Sequence, residues 1–450
     1  MRSSIRVISI TVAALALGTA GAGERVRWRF EIPSNSPGKF VNVGANGRVY
    51  TTSFHPPDLY ALTPGGSLVW SLSLGPAAAH WPITFADDGT IYTGAVGIRA
   101  VNPDGTLRWA FDSGRWVIAG PSVGPDGNIY AADDGGLGFF SLDADGNLRW
   151  SDPGDPPVSG LVERLDDIVF GDGRFFAGIN FRRSGPWSVV YTFDFDGDQL
   201  WFGGNSDRNL GATSNPRMLP DGRLILRRGQ GGLMAVRQDG TADWIVPHPD
   251  GAQVLVTPAV GPDGSIYAGD SYGVQLWSAN PDGSTRWVHE STGEHLDMLG
   301  VSPGNDVVIA TGWPEPPDSA WVRGYDPENG NLLWQVDLEP EQGLTQINRT
   351  VRPAFSPNGD TAYLTTWFVG NGVGHSYLYA IALRESPTPG DLNCDGVVNN
   401  FDIDPFVLAL TDPAGYAQKY PDCDRMLADI NREGVVDNFD IDPFVRLLGK

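Results

Sequence analysis

Short apolar segments separated by glycine-containing turns run along residues 24–384. One such segment, Arg48-Val49-Tyr50-Thr51-Thr52, has the composition and alternation of a β-strand. Asn-Gly and Asp-Gly pairs recur between the segments, and their glycines supply the positive φ that tight hairpins require. The pattern predicts an all-β unit made of many short antiparallel strands.

These strands form a repeat. One clear copy spans residues 119–150, AGPSVGPDGNIYAADDGGLGFFSLDADGNLRW, and another spans residues 257–287. Each copy ends on a strand that contains tryptophan. The tryptophans in this position are Trp28, Trp70, Trp109, Trp150, Trp201, Trp244, Trp287 and Trp334. A period of roughly 40 to 50 residues, with four short strands in each repeat, predicts a β-propeller.

The number of blades follows from a second marker, a strand of the form Gly-x-Ile/Val-Tyr. Its copies, some of them degenerate, lie at 47–50, 89–92, 127–130, 173–176, 222–225, 264–267, 304–309 and 359–363. The tryptophan strands are offset from these copies, since Trp28 precedes the first repeat. We therefore predict that Val26–Phe30 completes the last blade and closes a ring of eight. Seven blades is the alternative, if residues 304–313 do not form one.

The C-terminal segment contains a different repeat. DLNCDGVVNNFDIDPFVLAL, residues 391–410, returns as DINREGVVDNFDIDPFVRLL, residues 429–448. Each copy begins with twelve residues that place oxygen ligands at positions 1, 3, 5, 7, 9 and 12 and glycine at position 6, as a calcium loop requires. The predicted ligands are Asp391, Asn393, Asp395, the Val397 carbonyl, Asn399 and Asp402, then Asp429, Asn431, Glu433, the Val435 carbonyl, Asp437 and Asp440. The sequence predicts two bound calcium ions.

A helix is predicted after each loop. Its apolar positions are Ile403, Phe406, Val407 and Leu410 in the first copy and Ile441, Phe444, Val445 and Leu448 in the second. So small a unit buries little core of its own, which makes it dependent on metal. Cys394 and Cys423 are the two cysteines of the chain, and pairing in an oxidising compartment would add a covalent tie. Free thiols are the alternative.

Charge and the N-terminus bear on location. The net charge of −23 argues against nucleic acid as a partner, because phosphates attract lysine and arginine. Residues 1–23 have the positive start, short apolar run and small residues of a signal peptide. We predict a secreted protein, extracellular or on the cell surface, with the periplasm as the alternative. The predicted order is propeller 24–384, linker 385–390 and calcium-binding module 391–450.

The tryptophan strands resemble a known family. NPDGTLRW, DADGNLRW and YDPENGNLLW are similar to the tryptophan-docking repeat of pyrroloquinoline-quinone-type propellers. That family includes quinoprotein dehydrogenases and a non-enzymatic outer-membrane assembly lipoprotein. The dehydrogenases hold their quinone against a vicinal cysteine pair, and this chain has no cysteine before Cys394, which argues against the quinone cofactor.

Other candidate chemistry in the repeats is sparse. The six histidines lack the spacing of metal ligands. We interpret the aspartates of the Pro-Asp-Gly phrases and the DFDGD stretch at 194–198 as hairpin formers. The turn aspartates are Asp104, Asp126, Asp221, Asp263 and Asp282. Tryptophans outside the repeat position are the candidates for a ligand face: Trp81, Trp116, Trp187, Trp313, Trp321 and Trp367.

The C-terminal pair of loops resembles a dockerin module, with Asp in place of Glu at position 12. The resemblance implies a cohesin-like or cell-surface scaffold partner, contacted near loop positions 10 and 11. Those positions are Asn400, Phe401, Asn438 and Phe439. Glu433 at position 5 departs from the usual pattern of the loop.

Two functions follow from these observations. The first is a secreted, non-catalytic propeller that acts as a binding platform, for a polysaccharide or protein ligand, and is tethered through the calcium-dependent module. The alternative is a secreted enzyme, either a quinone-dependent dehydrogenase or a polysaccharide-active protein. No residue is assigned a catalytic role.

Overall fold

The computed structural model divides the chain into two compact units, Met1–Leu383 and Arg384–Lys450. The predicted signal peptide lies outside the described residues. No helix among the described residues is long and apolar enough to cross a membrane. The structure describes residues 25–34, 40–53, 55–75, 82–134, 136–154, 168–181, 187–204, 212–228, 231–248, 256–269, 275–290, 294–314, 319–338, 345–346, 352–370, 373–384, 389–394, 398–420, 423–431 and 433–448.

The N-terminal unit is made of β-strands. They are β1 Val26–Ile32, β2 Val41–Val43, β3 Val49–Thr52, β4 Asp58–Leu62, β5 Leu68–Ser73, β6 Ile83–Phe85, β7 Ile91–Val101, β8 Leu107–Val123, β9 Ile129–Asp133, β10 Phe139–Leu142, β11 Leu148–Asp152, β12 Val169–Gly171, β13 Arg174–Phe181, β14 Trp187–Asp194, β15 Gln199–Gly204, β16 Ala212–Met218, β17 Leu224–Arg228, β18 Leu233–Val236, β19 Ala242–Val246, β20 Ala259–Val260, β21 Ile266–Gly269, β22 Gln275–Ala279, β23 Thr285–Glu290, β24 Glu294–Val301, β25 Val308–Pro314, β26 Ala320–Tyr325, β27 Leu332–Leu338, β28 Thr345–Gln346, β29 Ala354–Phe355, β30 Thr361–Gly370 and β31 Val373–Ala382.

Small antiparallel sheets of consecutive strands are the recurring unit. Four-stranded sheets contain β2–β5, β12–β15, β16–β19, β20–β23 and β24–β27, while β6–β11 form one six-stranded sheet. The larger sheet arises because β8 is long: its residues 107–116 pair with β7 and its residues 117–123 pair with β9. The core lies between successive sheets, where Phe139 of one sheet packs against Phe193 of the next.

The last sheet is completed by the start of the chain. β1 pairs antiparallel with β31, so that Trp28 lies opposite Ala380 and Phe30 lies opposite Leu378. This confirms the prediction that residues 26–30 supply the outer strand of the final sheet. The N-terminal strand thereby joins the two ends of the repeat without a covalent link.

The repeated tryptophan docks onto a turn of the next repeat. Seven of these indole N–H groups donate to a carbonyl in that turn, over 2.7 to 3.1 Å. The pairs are Trp28 with Pro64, Trp70 with Pro103, Trp109 with Ala144, Trp150 with Phe195, Trp201 with Gln238, Trp244 with Pro281, and Trp287 with Pro327. The repeated tryptophan therefore joins neighbouring repeats.

Glycine in the receiving turn lets the indole ring approach the backbone. At Gly146, a Cβ atom would lie 2.7 Å from Trp109, and the residue has a φ of +85°. Gly66 is placed in the same way, 2.6 Å from Trp28. The Asp-Gly pairs of the sequence consequently have two functions: they turn the hairpin, and they leave room for the ring of the preceding repeat.

The eighth docking position is different because the two outer strands of the following sheet, β31 and β1, are not joined by a turn. Trp334 on β27 packs in one cluster with Ile381 and Leu383, and within the described residues its indole nitrogen has no hydrogen-bond partner. The guanidinium of Arg25 covers the ring at 4.9 Å and donates to the carbonyls of Ala382 and Leu383. A cation–π contact therefore covers Trp334 in place of the usual glycine turn.

The C-terminal unit is a small helical body. Its α-helices are α1 Ile403–Thr411, α2 Pro413–Lys419 and α3 Ile441–Leu448, and short 3₁₀ helices span Asn400–Asp402, Arg425–Ala428 and Asn438–Asp440. Phe406 and Phe444 stack with ring centroids 4.1 Å apart and an interplanar angle of 3°. The buried hydroxyl of Tyr416 donates to the Leu392 carbonyl at 3.0 Å, and burial raises the pKa of this tyrosine to about 12. Helix α2 was not predicted, although Asp412 before Pro413 is a usual helix start.

A disulfide joins Cys394 and Cys423 in this unit, with Cα atoms 5.8 Å apart. Cys394 lies inside the first acidic loop, while Cys423 precedes the second. The bridge closes a segment that contains α1 and α2. It therefore restricts the unfolded chain over nearly half of the unit.

The docking geometry predicts different costs for two glycine substitutions. Gly146→Ala and Gly127→Ala both place alanine at a positive φ, which costs about 1–2 kcal/mol of folding free energy. Only Gly146→Ala drives a Cβ atom into an indole ring, since nothing lies within 4 Å of the corresponding position at Gly127. We expect Gly146→Ala to lower the free energy of unfolding by about 1–3 kcal/mol more than Gly127→Ala, measured by urea denaturation. Equal losses would contradict the docking role.

The disulfide predicts a local effect of reduction. Opening the Cys394–Cys423 bridge should cost the C-terminal unit about 3 kcal/mol. The loss of stability is measured by amide hydrogen exchange of the whole protein with and without reductant. We expect faster exchange in α1 and α2 after reduction. The N-terminal unit contains no cysteine and serves as the internal control. Unchanged protection in α1 after complete reduction would show that the bridge contributes no stability.

Candidate functional site

The first acidic loop turns its terminal carboxylate inward. Asp402 at position 12 is fully buried, and it accepts the backbone N–H groups of Leu392 at 2.7 Å and of Asn393 at 3.1 Å on one oxygen. Its second oxygen accepts the N–H of Asn399 at 2.9 Å. Asp391 at position 1 is 4% exposed. The predicted ligands Asp395 and Val397 lie outside the described residues.

The second loop repeats this arrangement. Asp440 is fully buried and accepts the N–H groups of Asn431 at 3.1 Å and Asp437 at 3.0 Å. Asp429 at position 1 accepts the N–H groups of Glu433 at 3.1 Å and Gly434 at 2.7 Å. The first and last carboxylates of the loop are therefore held in place by the loop backbone.

The described residues of the two loops form only part of a calcium-ligand set. Within the described part of the chain, no three His, Cys, Asp or Glu side chains lie close enough together to hold a metal ion. Glu433 at position 5 is exposed, as is the side chain of Val435, whose predicted ligand is its backbone carbonyl. The fit to calcium therefore rests on the donor set: four buried carboxylates, with Asn431 and Asp437 between them in the second loop. Oxygen donors of this type suit a hard cation.

Both loops lead directly into a helix through the same cap. Asn399 accepts the N–H of Phe401 at 2.7 Å, and Asp437 accepts the N–H of Phe439 at 2.8 Å. In each copy the position-12 aspartate accepts the backbone N–H of that same capping residue, which completes a capping box. The loop carboxylates and the start of each helix are therefore one hydrogen-bonded structure.

The predicted partner positions are on the surface. Phe401 is 78% exposed and Phe439 is 75% exposed. The apolar helix positions divide between core and surface, which differs from the single stripe expected from the sequence. Phe406 and Phe444 are buried, because their rings stack on each other. The outward-facing members of the stripe are Ile403, Val407, Ile441 and Val445.

Two apolar patches consequently lie on the C-terminal unit. The first patch is Phe401, Ile403 and Val407, and the second is Phe439, Ile441 and Val445. Exposed side chains of this size are uncommon on a unit with so small a core, and clusters of them mark interaction surfaces. The period of the sequence located the helices but could not separate the outward positions from the inward ones.

The carboxylates of the N-terminal unit act as turn formers. Asp104 and Asp282 each accept a backbone N–H two residues later, at 2.9 Å. Hydrogen bonds from the hydroxyls of Thr106 and Ser284, and then these backbone bonds, lower the pKa of the two carboxyls. Asp126, Asp221 and Asp263 accept equivalent bonds. The DFDGD stretch is also a hairpin, in which Asp194 accepts two backbone N–H groups. These predictions are confirmed.

Arginine next to the docking tryptophan pairs with some of these turns. The guanidinium of Arg108 lies 2.9 Å from Asp88, and that of Arg286 lies 3.8 Å from Asp263. Such partly exposed pairs contribute little stability individually. They give the arginine of the Arg-Trp sequence an ion-pair partner in a turn of its own sheet.

The remaining aromatic candidates of the N-terminal unit are scattered. Trp313 stacks on His295 at 5.3 Å, while Trp321 is buried under Arg323 at 4.2 Å. Trp116 is 40% exposed, and Trp367 is half-buried. Trp81 and the side chain of Trp187 lie outside the described part of the chain.

Comparison with known proteins identifies the N-terminal unit. Residues 94–254 match the family model described as Outer membrane protein assembly factor BamB. No curated protein matches the chain.

Solved structures share the fold at low sequence identity. The C-terminal WD40 domain of Sif2 matches with a TM-score of 0.57 and 13% identity, over 79% of this chain and 97% of that one. A europium-containing methanol dehydrogenase matches with a TM-score of 0.54 and 15% identity, over 80% and 93%. The quinohemoprotein alcohol dehydrogenase ADHIIG from Pseudomonas putida HK5 matches with a TM-score of 0.54 and 14% identity, over 82% of this chain and 79% of that one.

Likeness at these identities establishes the fold alone. The tryptophan strands, the small consecutive sheets and the family match agree with one another. The N-terminal unit of this chain is a β-propeller, and its repeats over residues 94–254 are of the pyrroloquinoline-quinone type.

Proposed function

We propose that this chain is a secreted, non-catalytic β-propeller attached to a cohesin-like or surface partner by a calcium-dependent, dockerin-like C-terminal unit. The observation that carries the proposal is the duplicated loop, with buried carboxylates at positions 1 and 12 and a matching exposed phenylalanine at position 11. The predicted signal peptide supports an extracellular or cell-surface location.

We further propose eight blades for the propeller. The six-stranded sheet contains two blades, since β7 and β8 each pair with different neighbours along their two parts. The five four-stranded sheets and the sheet closed by β1 supply the other six. Eight docking tryptophans, from Trp28 to Trp334, support the same number.

Calcium would occupy both acidic loops. Asp391, Asp402, Asp429 and Asp440 are all less than 9% exposed, and like charges so placed repel one another. A divalent cation relieves that repulsion and ties each loop to the helix that follows. The unit is accordingly expected to be more ordered with calcium than with a chelator.

Calorimetry of the whole protein tests the calcium sites. We expect two ions per chain for the natural sequence, one for Asp402→Ala or Asp440→Ala, and none for the double variant. Asp404→Asn and Asp442→Asn, at exposed helix positions, are the controls and should keep both ions. Chelated protein that binds no calcium on titration would refute the proposed attachment mechanism.

The two apolar patches predict how a partner binds. Their equivalent positions would let either patch contact the partner, so one substitution should be tolerated. We expect Phe401→Ser or Phe439→Ser alone to weaken binding to a cohesin domain only about two-fold, through the loss of one of two equivalent modes. The variant that carries both Phe401→Ser and Phe439→Ser should not bind the cohesin domain, and a calcium chelator should abolish binding by the natural sequence. Biolayer interferometry measures both.

The control for that experiment is a calcium titration of each phenylalanine variant, because loss of the fold would also abolish binding. Full calcium occupancy with lost cohesin binding supports the patches as the contact surface. Unimpaired binding of the double variant would place the contact elsewhere.

A further inference from the structure

The first acidic loop differs from the second by a covalent bond within it. Cys394, at position 4, stands between the predicted ligands Asn393 and Asp395 and is bridged to Cys423. The second loop has Arg432 at position 4, which cannot form a disulfide. Both loops have the same capping box before the following helix. The two copies therefore allow a comparison of a bridged and an unbridged loop within one chain.

The bridge holds the backbone that carries the first ligands. The φ of Cys394 is +54°, in the left-handed region that residues other than glycine and asparagine rarely adopt. The carbonyl oxygen of Asp391, at position 1, lies 3.9 Å from the sulfur of Cys394 and 3.7 Å from that of Cys423. From the other side, Asp402 accepts the Asn393 N–H at 3.1 Å. Positions 1 to 4 are therefore held between the bridge and the position-12 carboxylate.

The far end of the bridge is anchored in the core of the C-terminal unit. Cys423 packs against the buried cluster that contains Phe406 and Tyr416. Its backbone N–H donates to the Tyr420 carbonyl at 3.2 Å, directly after α2. The bridge consequently joins the ligand segment of the first loop to a part of the unit that belongs to neither loop.

A crosslink in this place lowers the conformational cost of calcium binding. An open loop loses backbone freedom when its ligands gather around an ion, and that loss weakens the affinity. The bridge closes residues 394–423, a segment that contains positions 4–12 of the first loop, and so removes part of this freedom in advance. The second loop begins at Asp429, outside the closed segment. Its affinity should therefore not depend on the bridge.

We propose that the Cys394–Cys423 bridge preorganises the first calcium site and makes the affinity of that site alone depend on the redox state of the two cysteines. The proposal rests on the calcium-binding function proposed above and extends it to the regulation of one site. The first site reaches its full affinity only where the bridge is formed.

A dithiol reverses this state. The S–S bond breaks, two electrons and two protons pass from the dithiol to the two sulfurs, and the dithiol closes to a cyclic disulfide. Cys394 is exposed, which gives such a reagent access to the bridge. Reduction thereby returns the first loop to the open condition of the second.

Calorimetry of the whole protein tests the proposal with variants that keep one loop each. Asp440→Ala leaves the first loop and Asp402→Ala leaves the second. In the Asp440→Ala chain, Cys394→Ser together with Cys423→Ser should weaken calcium binding about tenfold, because the first loop loses its preorganisation. In the Asp402→Ala chain, which is the matched control, the same two substitutions should change the affinity less than about twofold.

Reciprocity gives a second measurement, which uses the natural sequence and needs no unbridged variant to fold. A bridge that favours calcium must itself be favoured by calcium, to the same extent. In a dithiothreitol redox buffer, with free thiols counted by alkylation and mass spectrometry, saturating calcium should lower the equilibrium constant for reduction about tenfold. Asp402→Ala should abolish this effect of calcium, and Asp440→Ala should retain it.

The outcomes separate this proposal from the calcium-binding function. Two ions bound to the natural sequence, with a reduction equilibrium that does not respond to calcium, would overturn the proposal and leave the function intact. Equal weakening of both loops by the cysteine substitutions would also overturn it, because the bridge would then act on the whole unit. Absence of calcium binding to the natural sequence would refute the function and the proposal together.

Discussion

The contact between an indole ring and the glycine turn of the next sheet holds the N-terminal unit together. A four-stranded sheet has two apolar faces and cannot bury both alone. A docking tryptophan covers part of the neighbouring sheet and satisfies its own N–H on that sheet's turn, as Trp150 does with Phe195. Stability is therefore shared between neighbours, as in other repeat proteins.

Closure of the ring depends on contacts of a different kind. The pairing of β1 with β31 replaces a covalent connection, and Arg25 takes over from the missing turn beside Trp334. Strand β1 is consequently part of the sheet formed by the last strands of the N-terminal unit.

The C-terminal unit relies on charge and covalent linkage where the propeller relies on repeated packing. Its core is small, centred on the stacked rings of Phe406 and Phe444. The buried aspartates fix the loop backbone through several N–H donors, as Asp402 does for Leu392 and Asn393. The disulfide constrains the loop that contains Cys394. The phenylalanine at position 11 of each loop stays exposed.

The sequence by itself determined the repeating strands, the docking tryptophans, the closing strand Val26–Phe30 and the spacing of the acidic loops. All of these follow from local periodicity or from residue types with one dominant structural use. Only the tertiary structure decided that Arg25 covers Trp334, that Val407 faces outward while Phe406 is buried, and that both sulfurs of the bridge lie against the Asp391 carbonyl. Those facts depend on which distant segments come together, and a single strand or helix has no local signal for its neighbours.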